Sequence, residues 1–506
     1  MPAYHTIPQD VLFFRDGRPM EPGAGSGGHG ARWPEPSIIF DAVHAALHRA
    51  FPVPVEATRS AESLQAYLQE KGWLWQHPHR YVRRPTNGQP RNRQPDETMR
   101  NQRFGTLRTA GPFPAVVRPN GGAVWLFPAP ADFVPGDEGR PFLAPLRDQN
   151  GSSDLPIPLQ FSLSNPCEPS KAEPPPWWSK AGIEAALRNE RPHSREMWAA
   201  NELYAGEWTT GIGIDPERQT QDGERIYSAE YLRLREDTRL GQQTALGFAA
   251  SLPLDHPDGD CREGMDKLFQ AHDIILCGGQ QRACRVQPVQ GDAHLDKLFP
   301  VSQLDTMKPG PDGKWRLKWL LLSPAVYPFV SEASPGGWLP NWIAAIDGVD
   351  HGRPFKPGDV LLKSEIPAKQ KGEIREAWRK RVARDVSPIQ ARLVAARVPK
   401  PVVITGWTER LHEIAAEAIE SVAAPTTRHG PRPTLLAVPA GAVYYFEADS
   451  ADEARKLAAA LNWHGSESNP TTIKNRRSTL LGEKGFGLGV CGTWQFYKDV
   501  SGRSGK

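Results

Sequence analysis

A chain of 506 residues is too long for one ordinary core, so two domains with insertions are expected, with three as the upper bound. Its 46 glycines and 50 prolines make up about a fifth of the residues, above the roughly 12% average but short of the disordered range, so a folded protein with many long loops is expected. The net charge of +3 alone says little about partners, but it is unevenly spread, with ten Lys/Arg between Lys71 and Arg118 against only Asp96 and Glu97. Such a stretch is either a solvated loop or an electrostatic footprint for a phosphate backbone.

The opening residues MPAYHTIPQD have neither a cationic n-region nor an apolar h-region. No window approaches the roughly 18 to 20 apolar residues of a membrane span, and a cytoplasmic location is expected. His5 to Phe14 reads as a strand whose apolar run stops at the turn signal Arg15-Asp16-Gly17-Arg18-Pro19. A glycine-rich loop from Gly23 to Gly30 follows, and then Ile39, Val43, Ala46, Leu47 and Ala50 recur at helical spacing within Ser37 to Ala50. The basic stretch and the Pro/Gly-rich run to about Pro176 read as insertion or loop, with short strands such as Ala123 to Phe127. Gly211 to Asp215 and Arg225 to Leu234 read as strands joined across the polar PERQTQDGE turn.

Near residue 310 the pattern starts again, with Trp315 to Leu322 as an apolar strand broken by Ser323-Pro324. Leu435 to Val438 and Ala442 to Glu447 are strands around Pro439-Ala440-Gly441, and Ser450 with Glu453 forms a capping box that opens a helix to about Leu461. Val490 to Tyr497 reads as a final strand. This ββαβ order fits more than half of a ferredoxin-like βαββαβ unit. The expectation is an α+β protein of two such domains, 1–305 with an insertion at about 70–180 and 306–506 with a glycine-rich loop.

That loop is EKGFGLGVCG, Glu483 to Gly492, in which Gly487, Gly489 and Gly492 fit GxGxxG. A dinucleotide site needs a helix directly after the loop and an acidic ribose ligand about 20 residues further on, yet only 14 residues follow Gly492. The same spacing occurs at Gly23, Gly25 and Gly28, which shows how cheaply it arises in a glycine-rich chain. Lys484-Gly485-Phe486-Gly487 matches the first four positions of an RNA-recognition strand signature, but Leu488 and Cys491 stand where aromatics should stack bases. What remains is a backbone-exposing loop flanked by Lys474, Arg476, Arg477 and Lys484 and suited to phosphate contacts, or else a tight glycine turn with surface charges.

Signals for catalysis are sparse. The five cysteines are odd in number and show no CxxC, and Cys261, His272, Cys277 and Cys284 match no standard zinc spacing. His44 and His48, with Asp41 one turn earlier, lack the glutamate of HExxH. His29, in the glycine-rich loop, is the better candidate for a general base. There is no GxSxG and no Walker A lysine motif.

Several segments carry a more specific signal. YHTIPQDVLFFRDGRPM, TTGIGIDPERQTQDGERIYSAEYLRLRED, GGQQRACRV, LLSPAVYP, PAGAVYYFE and GEKGFGLGV occur in this order over nearly the whole chain. Together they resemble the third-subunit family of the type III-B CRISPR Cmr effector complex, a branch of the RAMP superfamily. The resemblance implies two ferredoxin-like RAMP domains, no catalytic centre and no cofactor or metal. It also implies binding of the crRNA 5′ tag beside the large polymerase/cyclase-like subunit, the fourth Cmr subunit and the backbone subunits. Carried over by position, Arg15, Asp16, Gly17 and Arg18 are the turn after the first strand, and Gly485, Phe486, Gly487 and Gly489 are the RAMP glycine-rich loop. With Lys474, Arg476, Arg477 and Lys484 they make up the expected RNA-binding set. The alternatives are a metal-independent crRNA-processing RAMP endoribonuclease with a base such as His29, a tag-binding subunit of another type III complex, and a scaffold that contacts only proteins.

Overall fold

The computed structural model describes residues 1–15, 28–50, 56, 63, 104, 107–135, 141–146, 157, 159–164, 173–214, 221–239, 243–252, 261–290, 295–305, 307–350, 353–364, 366–370, 372–405, 407–408, 430–431 and 434–496. In the first half, β1 (Ala3–Pro8) is followed by α1 (Pro36–Ala50), β2 (Arg108–Val117), β3 (Ala123–Pro128), β4 (Trp177–Ser179), α2 (Lys180–Leu187) and β5 (Met197–Trp198). A long hairpin of β6 (Tyr204–Ile214) and β7 (Gln221–Leu234) precedes β8 (Thr244–Ser251), α3 (Cys261–Ala271), β9 (Ile274–Cys277) and β10 (Arg282–Pro288). Apart from the hairpin, these strands form one antiparallel sheet in the order β9-β10-β1-β8-β2-β3-β4-β5.

The helix expected at Ser37 to Ala50 forms because Ile39, Ala42, Val43, Ala46 and Leu47 make one buried stripe, which packs with α3 on the outer face of this sheet. The first strand is shorter than expected: it ends at Pro8, and Leu12, Phe13 and Arg15 make only isolated bridges. The reading of 70–180 as an insertion is corrected by β2 and β3, which lie inside the sheet. RTAGPFPAVV is a poor strand by composition, since proline cannot donate to a ladder. The ladder accepts it because the register shifts opposite Gly111-Pro112, between Gly247 and Ala249 of β8. The other residues described from the basic stretch are Phe104 and Leu107, both buried, and Arg118, which is exposed; the rest of that stretch lies outside the described residues.

The second half contains β11 (Trp315–Leu321), α4 (Arg375–Asp385), β12 (Ala391–Arg397), β13 (Val402–Ile404), β14 (Leu435–Ala437), β15 (Val443–Ala448), α5 (Ala451–Leu461) and β16 (Gly489–Thr493). Its antiparallel sheet runs β12-β15-β11-β16. The final strand thus ends at Thr493, short of the expected Tyr497. Ser450 caps α5 by accepting from the Glu453 amide at 3.2 Å, but the Glu453 carboxylate accepts from the Gln390 amide, so the capping box is half formed.

Alternation along β11 divides two cores. Leu317, Trp319 and Leu321 face α5, while Leu320 joins Phe113, Trp125, Phe127 and Trp178 from the first half in a core that both sheets share. Two charged residues of β11 alternate with these apolar ones, and both are buried. Arg316 pairs with Glu447 on β15 at 3.2 Å. Lys318 Nζ lies 3.3 Å from Asp132 Oδ2, and the Tyr445 hydroxyl donates to the same oxygen at 2.9 Å. Burial pulls the Lys318 ammonium below its usual range, and the Asp132 carboxylate opposes the shift.

Replacing Asp132 with Ala would leave a buried ammonium without its counter-charge. A loss of about 3–5 kcal/mol in urea unfolding is expected, with much of it recovered in the double variant Asp132→Leu/Lys318→Met.

Candidate nucleic-acid interface

The segment from Lys474 to Gly489 runs from the end of α5 to the start of β16 and is anchored at several points. The Asn475 side-chain amide donates to the carbonyls of Ala459 and Asn462, both at 2.7 Å, and Arg477 Nε donates to the Ala460 carbonyl. Carbonyls left over at the C-terminus of α5 are thereby satisfied, by an amide and by a cation that the helix dipole favours. Lys474 is exposed and pairs with Glu467 at 3.1 Å.

Beyond Leu481, a 3-10 turn at Gly482–Lys484 presses against the first half of the chain. Thr109 donates its hydroxyl to the Lys484 carbonyl at 3.2 Å, joining residues 375 positions apart. Lys484 Nζ lies 2.7 Å from Asp41 Oδ1 and 4.8 Å from the centroid of the Phe40 ring, both on α1. Phe486 is fully buried against Val326, Ile404 and Ala437.

The glycines are required by close packing. Gly485 (φ +98°) lies against Thr109 and Ala110 of β2, and a Cβ on Gly487 (φ +75°) would sit 2.2 Å from the Ser478 amide nitrogen. At Gly489 a Cβ would meet the Trp319 indole nitrogen at 2.1 Å. The loop also uses its own amides. Those of Gly485, Phe486 and Gly487 donate to Gly482, Leu481 and Pro324 carbonyls, and that of Leu488 donates to the Ser323 hydroxyl. The amides of residues 485–488 are therefore spent inside the fold.

The electrostatics single out two arginines. Arg108, at the start of β2, and Arg476 are both influenced by the Glu483 carboxylate of the 482–485 turn. Burial draws the Arg476 guanidinium down to about 10, Arg108 pushes in the same direction, and the Glu483 carboxylate opposes. Arg108 is likewise lowered by burial and supported by Glu483. Arg477 is lowered by burial as well.

At the other end of the expected set, Arg15 is exposed and bridges to Gly30, while Asp16, Gly17 and Arg18 lie outside the described residues. His29 Nδ1 sits 3.7 Å from Glu230 Oε2, edge-on to the half-exposed Trp208 of β6. Arg118, at the far end of β2, lines a cavity of about 330 Å³ with Lys180 and Lys297, whose ammonium groups pair with Glu184 and Asp296. No group of three or more His, Cys, Asp or Glu suited to a metal occurs among the described residues. Nor is any described helix long and apolar enough to cross a membrane.

The family model for the CRISPR-associated protein Cas_Cmr3 matches residues 4–494. The chain belongs to the Cas_Cmr3 family. It is thus a component of a CRISPR interference complex of the Cmr, type III-B, kind, as the resemblance implied. Solved structures similar to it include a chain of the type III-B Cmr-beta complex bound to cognate target RNA, at 12% identity and a TM-score of 0.32, covering 88% of this chain and 86% of that one. Another lies in a Csm3-Csm4 subcomplex of the type III-A interference complex, at 9% identity and a TM-score of 0.32, covering 88% and 92%. No curated protein matches the chain.

Sequence reasoning had picked out Arg476 but left Arg108 within a diffuse basic stretch. Nothing in the linear pattern joins them, because the contact is made by a turn docking onto a distant strand.

Two measurements check this account. Gly487→Ala would combine a left-handed backbone with a backbone clash, and a loss of at least about 1–2 kcal/mol in thermal unfolding is expected, against under about 0.5 kcal/mol for Lys474→Ala. Glu35, just before α1, has its carboxyl pushed up to about 8 by burial, from an ordinary value of 4.5. The folded state therefore holds a proton that the unfolded chain releases, so this contribution is fully present below pH 4.5 and is lost as pH rises towards 8. Glu35→Gln should leave stability unchanged in acid and raise it increasingly across that window, read from urea midpoints in a pH series.

Proposed function

We propose that this protein is a non-catalytic subunit of a type III-B CRISPR interference complex that anchors the 5′ tag of the crRNA and docks the large polymerase/cyclase-like subunit. The family match over residues 4–494 carries this reading. The fourth Cmr subunit and the backbone subunits are its other neighbours, in the cytoplasm, with no cofactor and no metal of its own.

Both halves are read as ferredoxin-like RAMP domains, 1–305 and 306–506. Strand order supports this. In the first half β10-β1-β8-β2 is the 4-1-3-2 order of a βαββαβ unit, with α1 and α3 as its crossovers and β3, β4, β5 and β9 as extensions. In the second half β16-β11-β15-β12 repeats that order, with α4 before the second strand and α5 before the fourth. The tag is read as running past Arg15 and the 474–489 segment.

A nuclease reading rests on one observation, the His29–Glu230 pair at 3.7 Å, in which a carboxylate stands near a candidate base. It has no second catalytic group beside it in this reading.

The deciding experiment is purification of the tagged protein from its native host, with bound nucleic acid sequenced and co-purified chains identified by mass spectrometry. Recovery of crRNAs sharing one repeat-derived 5′ tag, together with the other Cmr subunits, is expected. Absence of RNA would favour a protein scaffold, and freshly cut repeat fragments without partner subunits would favour the nuclease.

A further inference from the structure

Trp208, in the middle of β6, is 52% exposed, and it is held in place from a different part of the chain. Glu230 stands directly opposite it on β7. On the other edge of β7 lies Gly28, whose amide donates to the Ser228 carbonyl at 2.6 Å and whose carbonyl accepts from the Glu230 amide at 2.8 Å. This pairing delivers His29 onto the same face. Its ring meets the Trp208 indole edge-on, with centroids 5.3 Å apart, and its Nδ1 lies 3.7 Å from Glu230 Oε2. The approach is close enough that a Cβ on Gly30 would sit 2.4 Å from the Glu230 carbonyl oxygen.

A lone exposed apolar residue needs no explanation. Trp208 differs in being braced, because a ring fixed by a neighbour has surrendered rotamer freedom before any ligand arrives, which is how a binding surface is preorganised. Its surroundings narrow the choice of ligand. The next cross-strand pair on this face, Thr210 and Ser228, places two hydroxyls 3.3 Å apart, and no other exposed large hydrophobic among the described residues lies on β6 or β7. Docking of a protein calls for a contiguous apolar patch. One flat ring set among hydroxyl, imidazole and carboxylate groups suits instead a flat partner with a polar rim, which is a nucleobase. Arg15, exposed and bridged through its backbone to Gly30, adds a cation to the segment that carries His29, where the backbone of the same strand would pass.

We propose that Trp208 is a stacking platform for one unpaired base of the bound RNA, with His29 and Glu230 holding the indole in position. The assignment rests on the RNA-anchoring reading and adds a base contact to it. Stacking of this kind accepts any base, since every base has a π-face.

The test uses the full-length protein and short single-stranded RNAs carrying 2-aminopurine at each position in turn. Stacking on the indole should quench the fluorescence most strongly at one position, and Trp208→Leu should relieve that quenching. Trp208→Leu and Trp208→Ala should each weaken binding by about tenfold, within the range found for losing one base–aromatic stack. The dependence of affinity on salt should keep its slope, because no phosphate contact is removed. Trp208→Phe retains a π-face and should bind more tightly than the leucine variant, a difference that a merely space-filling role would not produce. His29→Ala should weaken binding less than Trp208→Ala, and His29→Phe should restore it.

Unchanged affinity and quenching in Trp208→Leu, with RNA still bound, would overturn the platform while leaving the anchoring reading intact. Loss of co-purified subunits from Trp208→Leu beside unchanged RNA affinity would overturn it in favour of a protein contact. A wild-type protein that binds no oligonucleotide would overturn both the platform and the anchoring reading.

Discussion

The arrangement of the two halves depends on a buried charge that must find its partner. Lys318 points from the middle strand region of the second sheet into the core that both sheets share, and its counter-charge, Asp132, comes from the segment after β3 in the first half. A charge in such a place is tolerated only when paired and hydrogen-bonded, and here Asn189 accepts from Lys318 and Tyr445 donates to Asp132 Oδ2, while among the described residues Asp132 Oδ1 has no hydrogen bond. A one-residue slip of β11 would turn Lys318 towards α5, beside Tyr444 and Phe446 in an apolar core. Nearby, the Ala131 amide donates to the Gly441 carbonyl, and Gly441 approaches Ala129 so closely that a Cβ would lie 2.4 Å from its carbonyl oxygen. The halves are thereby clipped together in a single register.

That register creates the candidate site. Arg476 belongs to the second half and Arg108 to the first, and they are brought together only because the 482–485 turn docks on Thr109 and α1. The buried pair between the sheets and the arginine pair at their crease are therefore linked through rigid-body placement.

Much of the fold was legible where periodicity spoke clearly. The stripe of α1, the apolar run of β11 and the Ser450 cap all carry local signals strong enough to survive tertiary context. By contrast β2 was hidden, because Gly111, Pro112 and Pro114 argue against a central strand and only the bulge opposite them makes it acceptable. At the candidate site the basic residues were legible as basic, but their roles were not. Whether a lysine is a ligand or a strut depends on Asp41, Phe40 and Glu467, which no spacing rule connects to it.

The glycine pattern shows the same limit from the other side. GxGxxG implies one ligand approached by three glycines, yet here Gly487 avoids Ser478, Gly489 avoids Trp319, and Gly492 passes within 2.2 Å of the Leu187 carbonyl, measured from where its Cβ would be. Three unrelated neighbours, and not one pyrophosphate, account for the spacing. With the amides of residues 485–488 consumed by these turns, the RNA contact of the proposed function would rest more on side chains such as the guanidinium groups. Guanidinium–phosphate contacts fix where a strand lies and which way it runs, but they carry no information about its bases. Under the proposed anchoring role that property is what is needed, since an anchor must accept the strand whatever sequence follows.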